Sequence, residues 1–380
     1  MATKKTQDED HQTVTDEAAE RRRAFNATLR RLNEKMKKKE EGDNVITLLS
    51  DAPRDVPRVS SGLLDLDVAL GGGYGQGRIV EIFGPESAGK TTLALKMVAN
   101  TQKKADKNCL YVDTEHALNP AHAARLGVDL NNLALAQPFS AENAMELVKM
   151  AAESGVVDVI ILDSVAALTP KAELEGEISD QRVGELARIV SKSLRNIIGA
   201  AHKNNVSIFF INQNRVKIGG FASYGEPTDT TGGKALKYYA TTRVQVRGTR
   251  VGGSSTTNPT GLEMNMTVVK NKIAPPFRKA KAVFNFEGEP FDQPLEVFEA
   301  SKKMGVLAQQ PGKKTIVHAS TGEVLSTSGA PKAIEHLREH PELVDTLYEE
   351  TLEALRKAPT EVPQQAEEPD AEDEHDETEF

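Results

Sequence analysis

Apolar and polar positions alternate along residues 79–212 in a pattern that predicts strands followed by helices. Short apolar runs typical of buried strands occur at 79–83, 109–113, 133–136, 158–163 and 207–212. Stretches with helical spacing follow them at 90–103, 119–126, 141–154 and 182–203. This alternation predicts an α/β fold with a mostly parallel sheet flanked by helices, and a ligand site at the carboxyl ends of the strands.

The segments on either side of this region have different patterns. A helix beginning near Thr15 has a narrow apolar stripe, which predicts packing either on its own domain or on a neighbouring subunit. The stretch from Lys332 to Arg356 is also predicted to be helical. We divide the chain into a disordered N-terminus (1–14), an N-terminal helix and linker (15–57), the core (58–283), a small C-terminal α+β domain (284–358) and an acidic disordered tail (359–380).

Composition adds limits on where the protein acts. The 380 residues are 38% hydrophobic and 27% charged, without an apolar run long enough to span a bilayer or a signal peptide, so we expect a cytoplasmic protein without a membrane partner. The formal net charge is −9, but residues 361–380 are acidic, and the remainder is close to neutral. The tail either keeps the chain soluble or repels nucleic acid from a basic groove. The only cysteine, Cys109, lies in a strand-like run that favours a buried thiol.

One motif explains the region after the first core strand. The run Gly84-Pro85-Glu86-Ser87-Ala88-Gly89-Lys90-Thr91 fits G-x-x-x-x-G-K-[ST], and Thr92 extends it. Its backbone amides can surround phosphate oxygens at a helix N-terminus. We expect Lys90 to reach the β- and γ-phosphates and the Thr91 hydroxyl to bind Mg²⁺. The sequence therefore predicts a P-loop that binds ATP with Mg²⁺.

Three polar residues at the ends of other strands complete the predicted site. Asp163 ends an apolar strand, as the second Mg²⁺ residue of P-loop proteins does. Glu115 is a candidate base that orients the attacking water, although it could instead cap the helix near Pro120. Gln213 is a candidate γ-phosphate contact and switch, or a cap of its own loop.

Two irregular segments and two lysines suggest contact with a polyanion. The longer segment, from Asn214, carries Arg215, Lys217, Ile218 and Tyr224, which suit single-stranded nucleic acid, although a substrate lid would use similar residues. Lys270 and Lys272 lie on one side of a strand-like run. They are either a solvated edge or a phosphate contact, within the chain or across a subunit interface.

Several longer runs resemble the bacterial-type RecA recombinases, from about residue 16 to the acidic end. Besides Gly84–Thr92, they are Tyr111–Leu118, Asp158–Glu173, Ile211–Gln213, Thr231–Gly233 and Val269–Ala274. The run Asp163-Ser164-Val165-Ala166-Ala167-Leu168-Thr169-Pro170 is highly specific to that family. The resemblance implies a DNA-dependent ATPase that forms a helical homo-oligomeric filament on single-stranded DNA, tests double-stranded DNA for homology and exchanges strands. Some relatives also activate self-cleavage of a LexA-type repressor in the SOS response.

The resemblance also implies roles for individual residues. Residues 175–183 and 214–231 correspond to the two DNA-binding loops, and Gln213 to the γ-phosphate sensor. Lys270 and Lys272 match lysines that reach ATP on the adjacent protomer, and the N-terminal helix matches a segment that packs on a neighbour. Val183 and Ile218 align with residues that wedge between base triplets. The other residues assigned to DNA are Arg188, Arg195, Arg215, Lys217, Tyr224, Gly232 and Gly233.

Departures from the family pattern leave the core phosphate residues intact, but the sequence from about Phe284 matches the family only loosely. The second loop is two residues longer near 220–223, Tyr224 replaces Phe, and Lys234 replaces Asn. Asn119 and His122 stand where the family has Asp and Tyr near the adenine. These differences indicate a divergent member, for which a phage or plasmid origin is one explanation.

Two other functions share these motifs. A ring-shaped helicase motor would also have the P-loop and Asp163, but it needs an arginine finger and a ring-forming linker that we do not identify in the sequence. A nucleoprotein scaffold that uses ATP only as an assembly switch would differ from the recombinase in retaining repressor cleavage without hydrolysis.

Overall fold

A computed structural model describes residues 20–35, 46, 48, 56–104, 107–176, 184–216, 228–253 and 258–358. The chain divides into two units, Met1–Val56 and Pro57–Phe380. In the first unit, helix α1 covers residues 20–35, inside the predicted N-terminal helix segment. The Asn33 side chain accepts a hydrogen bond from the Ile46 amide at 2.7 Å and donates one to its carbonyl at 2.6 Å.

A nine-stranded sheet forms the centre of the second unit. The strands of this unit, up to the last strand of the large sheet, are β1 (Arg58–Val59), β2 (Tyr74–Gly75), β3 (Ile79–Gly84), β4 (Cys109–Asp113), β5 (Leu133–Ala136), β6 (Val159–Asp163), β7 (Ser207–Val216), β8 (Thr228–Thr230), β9 (Thr242–Val251), β10 (Gly261–Asn271) and β11 (Lys279–Asn285). Strands β1 and β2 pair separately. The others follow the order β11-β10-β9-β3-β7-β6-β4-β5, with β8 beside β7.

The inner part of this sheet is parallel. Strand β3 pairs in parallel with both β7 and β9, and the pairs β6–β7, β4–β6 and β4–β5 are parallel as well. Strands β10 and β11 extend the sheet in antiparallel fashion beyond β9. The prediction of a mostly parallel central sheet is confirmed.

Helices cover both faces of the sheet. They are α2 (Leu64–Leu70), α3 (Lys90–Gln102), α4 (Pro120–Arg125), α5 (Ala141–Ser154), α6 (Lys171–Glu175), α7 (Glu185–Lys203) and α8 (Ala235–Tyr239). Apolar side chains of α2, α3 and α4 pack on one face, and those of α5, α7 and α8 pack on the other. The predicted helix bounds agree within one residue except for α7, which begins three residues later. None of the described helices combines the length and apolarity needed to cross a bilayer.

Smaller elements follow the large sheet. They are α9 (Gln293–Lys303), the three-stranded sheet β12 (Leu307–Gln309), β13 (Ile316–His318) and β14 (Val324–Ser326), and helices α10 (Ala330–Glu339) and α11 (Pro341–Lys357). Their apolar side chains form one cluster with Leu64 and Val68 of α2. The predicted boundary at 283/284 falls within β11, and it stays a prediction because residue contacts divide the chain only at Val56.

The helical stretch predicted from Lys332 to Arg356 is two helices. The helix breaks at His340, whose φ and ψ of −128° and 74° are not helical, and the next helix begins at Pro341. A proline lacks a backbone N–H and disfavours helical backbone in the residue before it. Pro341 is therefore a sufficient reason for the break.

The ends of the predicted second loop are regular structure. Asn214, Arg215 and Val216 continue β7 and pair in antiparallel register with Thr230, Asp229 and Thr228 of β8. The predicted first loop begins at the last residue of α6, Glu175. Val183, Lys217, Ile218 and Tyr224 lie outside the described residues.

Candidate active site

The predicted P-loop connects the end of β3 to the start of α3. A Cβ atom on Gly84 would clash with the Val246 carbonyl oxygen of neighbouring β9, so only glycine fits at this position. Gly89 has a φ of 92°, and a Cβ there would meet the Met264 side chain. These two glycines allow the loop to lie close to the sheet, so that its backbone amides can face a phosphate group at the N-terminus of α3.

The Lys90 side chain lies over this loop. Its Nζ atom donates hydrogen bonds to the carbonyl oxygens of Gly84 at 3.2 Å and Pro85 at 2.5 Å. Burial lowers the pKa of Lys90, against the attraction of Asp163, Glu115 and Glu86. The ammonium group is therefore held next to the loop amides, where it can meet phosphate oxygens.

Two hydroxyl groups converge on Asp163 at the end of β6. Thr91 Oγ1 and the Tyr111 hydroxyl each donate a hydrogen bond of 2.7 Å to Asp163 Oδ2. Burial raises the pKa of Asp163, and these two hydrogen bonds oppose that shift. A hydroxyl and a carboxylate fit the oxygen ligands that Mg²⁺ prefers, so Thr91 and Asp163 would hold this ion. When bound, the ion would neutralise charge on the phosphate oxygens.

The loop after β4 is fixed by Asp113, the last residue of that strand. The buried Asp113 carboxylate accepts hydrogen bonds from the Ala117 amide at 3.4 Å, the Leu118 amide at 3.1 Å and Gln137 Nε2 at 3.1 Å. These contacts close a short turn around Glu115, whose side chain is exposed on the cavity side. The turn therefore presents Glu115 toward the nucleotide site.

Contacts with β6 orient Glu115 further. The Ser164 hydroxyl donates a 2.5 Å hydrogen bond to Glu115 Oε1. Thr114 donates from its amide to the Asp163 carbonyl and from its hydroxyl to the Ser164 carbonyl, both at 2.8 Å. One hydrogen bond thus joins the candidate base itself, and two join its neighbour Thr114, to Asp163 and Ser164 at the end of β6.

Gln213 lies beside the P-loop because β7 and β3 pair in parallel. Gln213 is opposite Gly84 in this register. Its backbone amide donates to the Asn212 side chain at 2.9 Å, and Asn212 Nδ2 donates to both Glu81 Oε1 and the Thr231 carbonyl at 3.0 Å. Asn212 therefore links Gln213, in the wall of the nucleotide cavity, to Thr231, which follows β8 at the end of the second predicted loop.

A cavity of about 380 Å³ brings most of the predicted residues together. The predicted residues in its wall are Glu86, Ser87, Ala88, Gly89, Lys90, Thr91, Thr92, Glu115, Asp163 and Gln213. Arg250, Leu262, Phe284 and Phe286, which sequence reasoning missed, also line it. The convergence is what a nucleotide site at the carboxyl ends of parallel strands requires.

Lys270 and Lys272 do not reach this cavity within one chain. Positions along β9 show the separation. Gly84, at the start of the P-loop, lies against Val246 of β9, whereas Lys270 pairs with Arg243 of the same strand. Arg243 is three residues, or about 10 Å, closer to the start of β9 than Val246 is. Lys270 Nζ donates to the Lys237 and Tyr238 carbonyls at the end of α8. Burial, together with Lys272 and Arg243, lowers the pKa of Lys270 to about 8.

Basic side chains form a line along α7. Arg188 and Arg195 are exposed and seven residues apart, so they lie on the same side of the helix, opposite the buried Val190 and Leu194. The exposed Lys192 lies between them at helical spacing and was missed by the sequence analysis. We call Arg188, Lys192 and Arg195 the basic stripe.

Close packing accounts for the presence of glycine at Gly232 and Gly233. Both have positive φ values, 82° and 79°, and a Cβ would come within 2.9 Å of Val165 and 2.8 Å of Ala187, respectively. These glycines allow the chain after β8 to pack closely against the start of α7. Their predicted DNA contact stays a prediction.

The residues that depart from the family pattern near the adenine have contacts within the chain. Asn119 caps α4 by accepting hydrogen bonds from the Ala121 and His122 amides. His122 Nε2 lies 3.1 Å from Thr92 Oγ1, and its ring meets Phe284 edge-on. Burial and the nearby Arg125 lower the pKa of His122.

A P-loop after one strand, with an acidic residue at the end of a parallel strand two positions away in the same sheet, defines the chain as a P-loop nucleotide-binding protein. The family description "RecA N-terminal domain" matches residues 23–288. Protein RecA of Thermus aquaticus is 43% identical over 325 residues, covering 84% of this chain and 92% of that protein. Protein RecA of Crocosphaera subtropica is 42% identical over 315 residues, covering 83% and 88%. The chain belongs to the RecA family of recombinases.

Proposed function

We propose that this protein is an ATP-dependent homologous recombinase that assembles as a filament on single-stranded DNA, hydrolyses ATP and exchanges strands with homologous duplex DNA. The observation that supports this most strongly is the arrangement of the cations. Lys90 lies in the wall of the nucleotide cavity, whereas Lys270 lies about 10 Å from the start of the P-loop along the strands and faces another surface. A head-to-tail assembly would bring the second surface of one copy to the nucleotide site of the next.

The side chains of the cavity have distinct roles in this proposal. The loop amides and Lys90 bind the triphosphate, and Thr91 and Asp163 hold Mg²⁺. Glu115, oriented by Ser164, positions and polarises the water that attacks the γ-phosphate. Lys270 and Lys272 of an adjacent copy add positive charge next to the phosphate. Filament assembly then controls hydrolysis, because the site lacks this charge in a single chain.

DNA binding is assigned to the loops and to the basic stripe. The stripe offers three exposed cations on one side of α7, and the close packing of Gly232 and Gly233 holds the end of the second loop against the same helix. Contacts of this kind engage backbone phosphates without reading the bases. This suits a protein that leaves recognition of homology to base pairing between DNA strands.

Nucleotide binding and DNA binding are coupled through Asn212. A γ-phosphate that contacts Gln213 would shift the end of β7. Asn212, the residue before Gln213, would carry this shift to the second loop, because its side chain donates a 3.0 Å hydrogen bond to the Thr231 carbonyl. The same filament could activate self-cleavage of a LexA-type repressor in the SOS response. We assign the protein to the cytoplasm.

The test is ATP hydrolysis by the full chain with and without single-stranded DNA, at several protein concentrations and low salt. We expect strong stimulation by DNA that rises cooperatively with protein concentration. Lys90→Ala should lose this turnover, and strand exchange between homologous but not heterologous DNA should require ATP. Turnover that is indifferent to DNA would contradict the recombinase, and unwinding of duplexes without homology would favour a helicase motor instead.

A further inference from the structure

Three side chains that commonly bind metal ions come together where α10 ends. His336, Glu339 and His340 each offer one ligand atom, and these atoms all lie within 4.8 Å of one another. The two imidazole ring centroids are 4.4 Å apart. His336 and Glu339 are three residues apart and lie on the same side of α10, and His340 follows directly as the residue at which this helix ends. The cluster belongs to the smaller C-terminal elements, and none of its residues lines the nucleotide cavity.

A fourth residue orients one of the imidazole rings. Glu342, in the first turn of α11, has Oε1 3.0 Å from His340 Nδ1. A histidine that binds a metal ion usually donates its other ring N–H to a carboxylate in this way. The hydrogen bond to Nδ1 leaves the Nε2 lone pair of His340 for a ligand.

We propose that His336, Glu339 and His340 bind a divalent transition-metal ion of the Zn²⁺ type at the junction of α10 and α11. Two imidazole nitrogens and one carboxylate oxygen, with water completing the coordination, are a donor set that Zn²⁺ accepts. Mg²⁺ prefers oxygen ligands, so the ion that accompanies ATP is a poor competitor here. This inference is independent of the proposed recombinase function.

Elsewhere in the described part of the chain, the thiol and two of the histidines are engaged or buried, whereas His116 and His202 are exposed but belong to no cluster of three potential ligands. The thiol of Cys109 is buried, and burial raises its pKa to about 12, which disfavours the thiolate that binds metals. His318 Nε2 lies 2.6 Å from Glu350, and His122 Nε2 lies 3.1 Å from Thr92. The exposed Glu339 carboxylate, in contrast, has no hydrogen bond or ion pair to another described residue.

A bound ion would stabilise the break between the two helices. His340 is the residue at which the α10 backbone leaves its helical path, and Pro341 begins α11. The ion would tie His340 to the last turn of α10, and through Glu342 to the first turn of α11. Because the unfolded chain does not hold these ligands together, binding should raise the unfolding temperature.

The test follows thermal unfolding of the untagged full-length protein, stripped with EDTA and then titrated with Zn²⁺ in the absence of nucleotide. We expect the unfolding temperature to rise by a few degrees with saturation. The double variant His336→Ala/His340→Ala should lose this rise. The matched control is His202→Ala, which removes one exposed histidine from α7 and should retain it. Co²⁺ in place of Zn²⁺ should give a visible absorption band that the double variant lacks.

A second variant keeps the test decisive if the double variant is less stable before Zn²⁺ is added. Glu339→Gln changes one exposed side chain without changing its size, and it should weaken Zn²⁺ binding at least about tenfold, as loss of a charged ligand does. The proposal is overturned if wild type shows no saturable Zn²⁺ response. It is equally overturned if the response is the same in the double variant, or unchanged in Glu339→Gln.

Discussion

The Ser164 hydroxyl donates a 2.5 Å hydrogen bond to the Glu115 carboxylate, across the gap between two parallel strands. Ser164 follows Asp163 directly, so the same strand end positions both the candidate base and the candidate Mg²⁺ residue. The fold itself therefore brings the two residues together in the candidate site.

Ser164→Ala tests the role of that hydrogen bond. Without it, Glu115 keeps its charge but loses its fixed orientation, so we expect the DNA-stimulated kcat to fall about tenfold, less than the factor of about 10² to 10⁴ expected for Glu115→Gln. ATP binding should be unchanged in both variants. Steady-state hydrolysis and nucleotide titration measure these effects. A kcat equal to wild type in Ser164→Ala would show that the Ser164 hydroxyl is not needed to orient Glu115.

The buried pair of Glu81 and Arg243 should dominate the stability of the central strands. Arg243 Nε lies 2.5 Å from Glu81 Oε2, and both side chains are less than 10% exposed. Glu81→Gln leaves the guanidinium without a carboxylate partner, and we expect it to cost about 3–5 kcal/mol of unfolding free energy. The matched control is Glu263→Gln, which breaks a part-exposed pair with Lys281 and should cost less than about 1 kcal/mol. Urea unfolding that gives similar losses for both would contradict this view.

Glu296 should make stability depend on pH. Burial raises its pKa from 4.5 to about 8, against a hydrogen bond from the Leu64 amide and the attraction of Lys96. The folded state therefore keeps a proton that the unfolded chain releases, so this contribution is complete below about pH 4.5 and is lost as the pH rises through about 8.

Comparison with Glu296→Gln isolates this effect. Between about pH 6 and 8, wild type should lose up to about 1.4 kcal/mol per pH unit relative to the variant, measured by urea unfolding. Asp67, whose pKa burial raises to about 6, contributes in both proteins and cancels in the comparison. Parallel stability curves for the two proteins would mean that Glu296 is ionised in the folded state.

The basic stripe should contribute to DNA binding without base preference. Arg188→Ala, Lys192→Ala and Arg195→Ala should each weaken binding to single-stranded DNA of any sequence, and each should reduce the salt dependence of the logarithm of the binding constant by about 0.7. Lys332→Ala, an exposed lysine paired with Glu335 on α10, is the control and should change neither quantity. Fluorescence titrations at several salt concentrations test this. An unchanged salt dependence in all three variants would exclude the basic stripe from DNA binding.

The predicted residues that the structure brings together around the cavity are those in which a local motif falls at a strand end. Glu86–Thr92, Asp163, Glu115 and Gln213 converge because parallel strands bring their carboxyl ends to one edge, which the alternation pattern alone predicts, and their roles stay predictions. The break before Pro341 also had a visible signal, since proline restricts the residue before it.

The missed contacts join residues far apart in sequence. Asn212 and Glu81 are separated by 131 residues and meet only because β3 and β7 are neighbours, which no local pattern specifies. Tyr111 reaches Asp163 through the pairing of β4 with β6 in the same way. Lys192, in contrast, could have been found from its helical spacing between Arg188 and Arg195.

The most direct test of the account mixes two inactive variants. Glu115→Gln removes the base but keeps Lys270 and Lys272, whereas the double variant Lys270→Ala/Lys272→Ala keeps a complete P-loop and Glu115. Each alone should hydrolyse ATP slowly on single-stranded DNA. In an equal mixture that assembles at random, about a quarter of the interfaces combine the intact nucleotide site of the lysine variant with the intact lysines of Glu115→Gln. About a quarter of wild-type turnover should therefore return. If the mixture remains as inactive as its components, or if the lysine variant alone is fully active, the nucleotide site is not completed by a second copy.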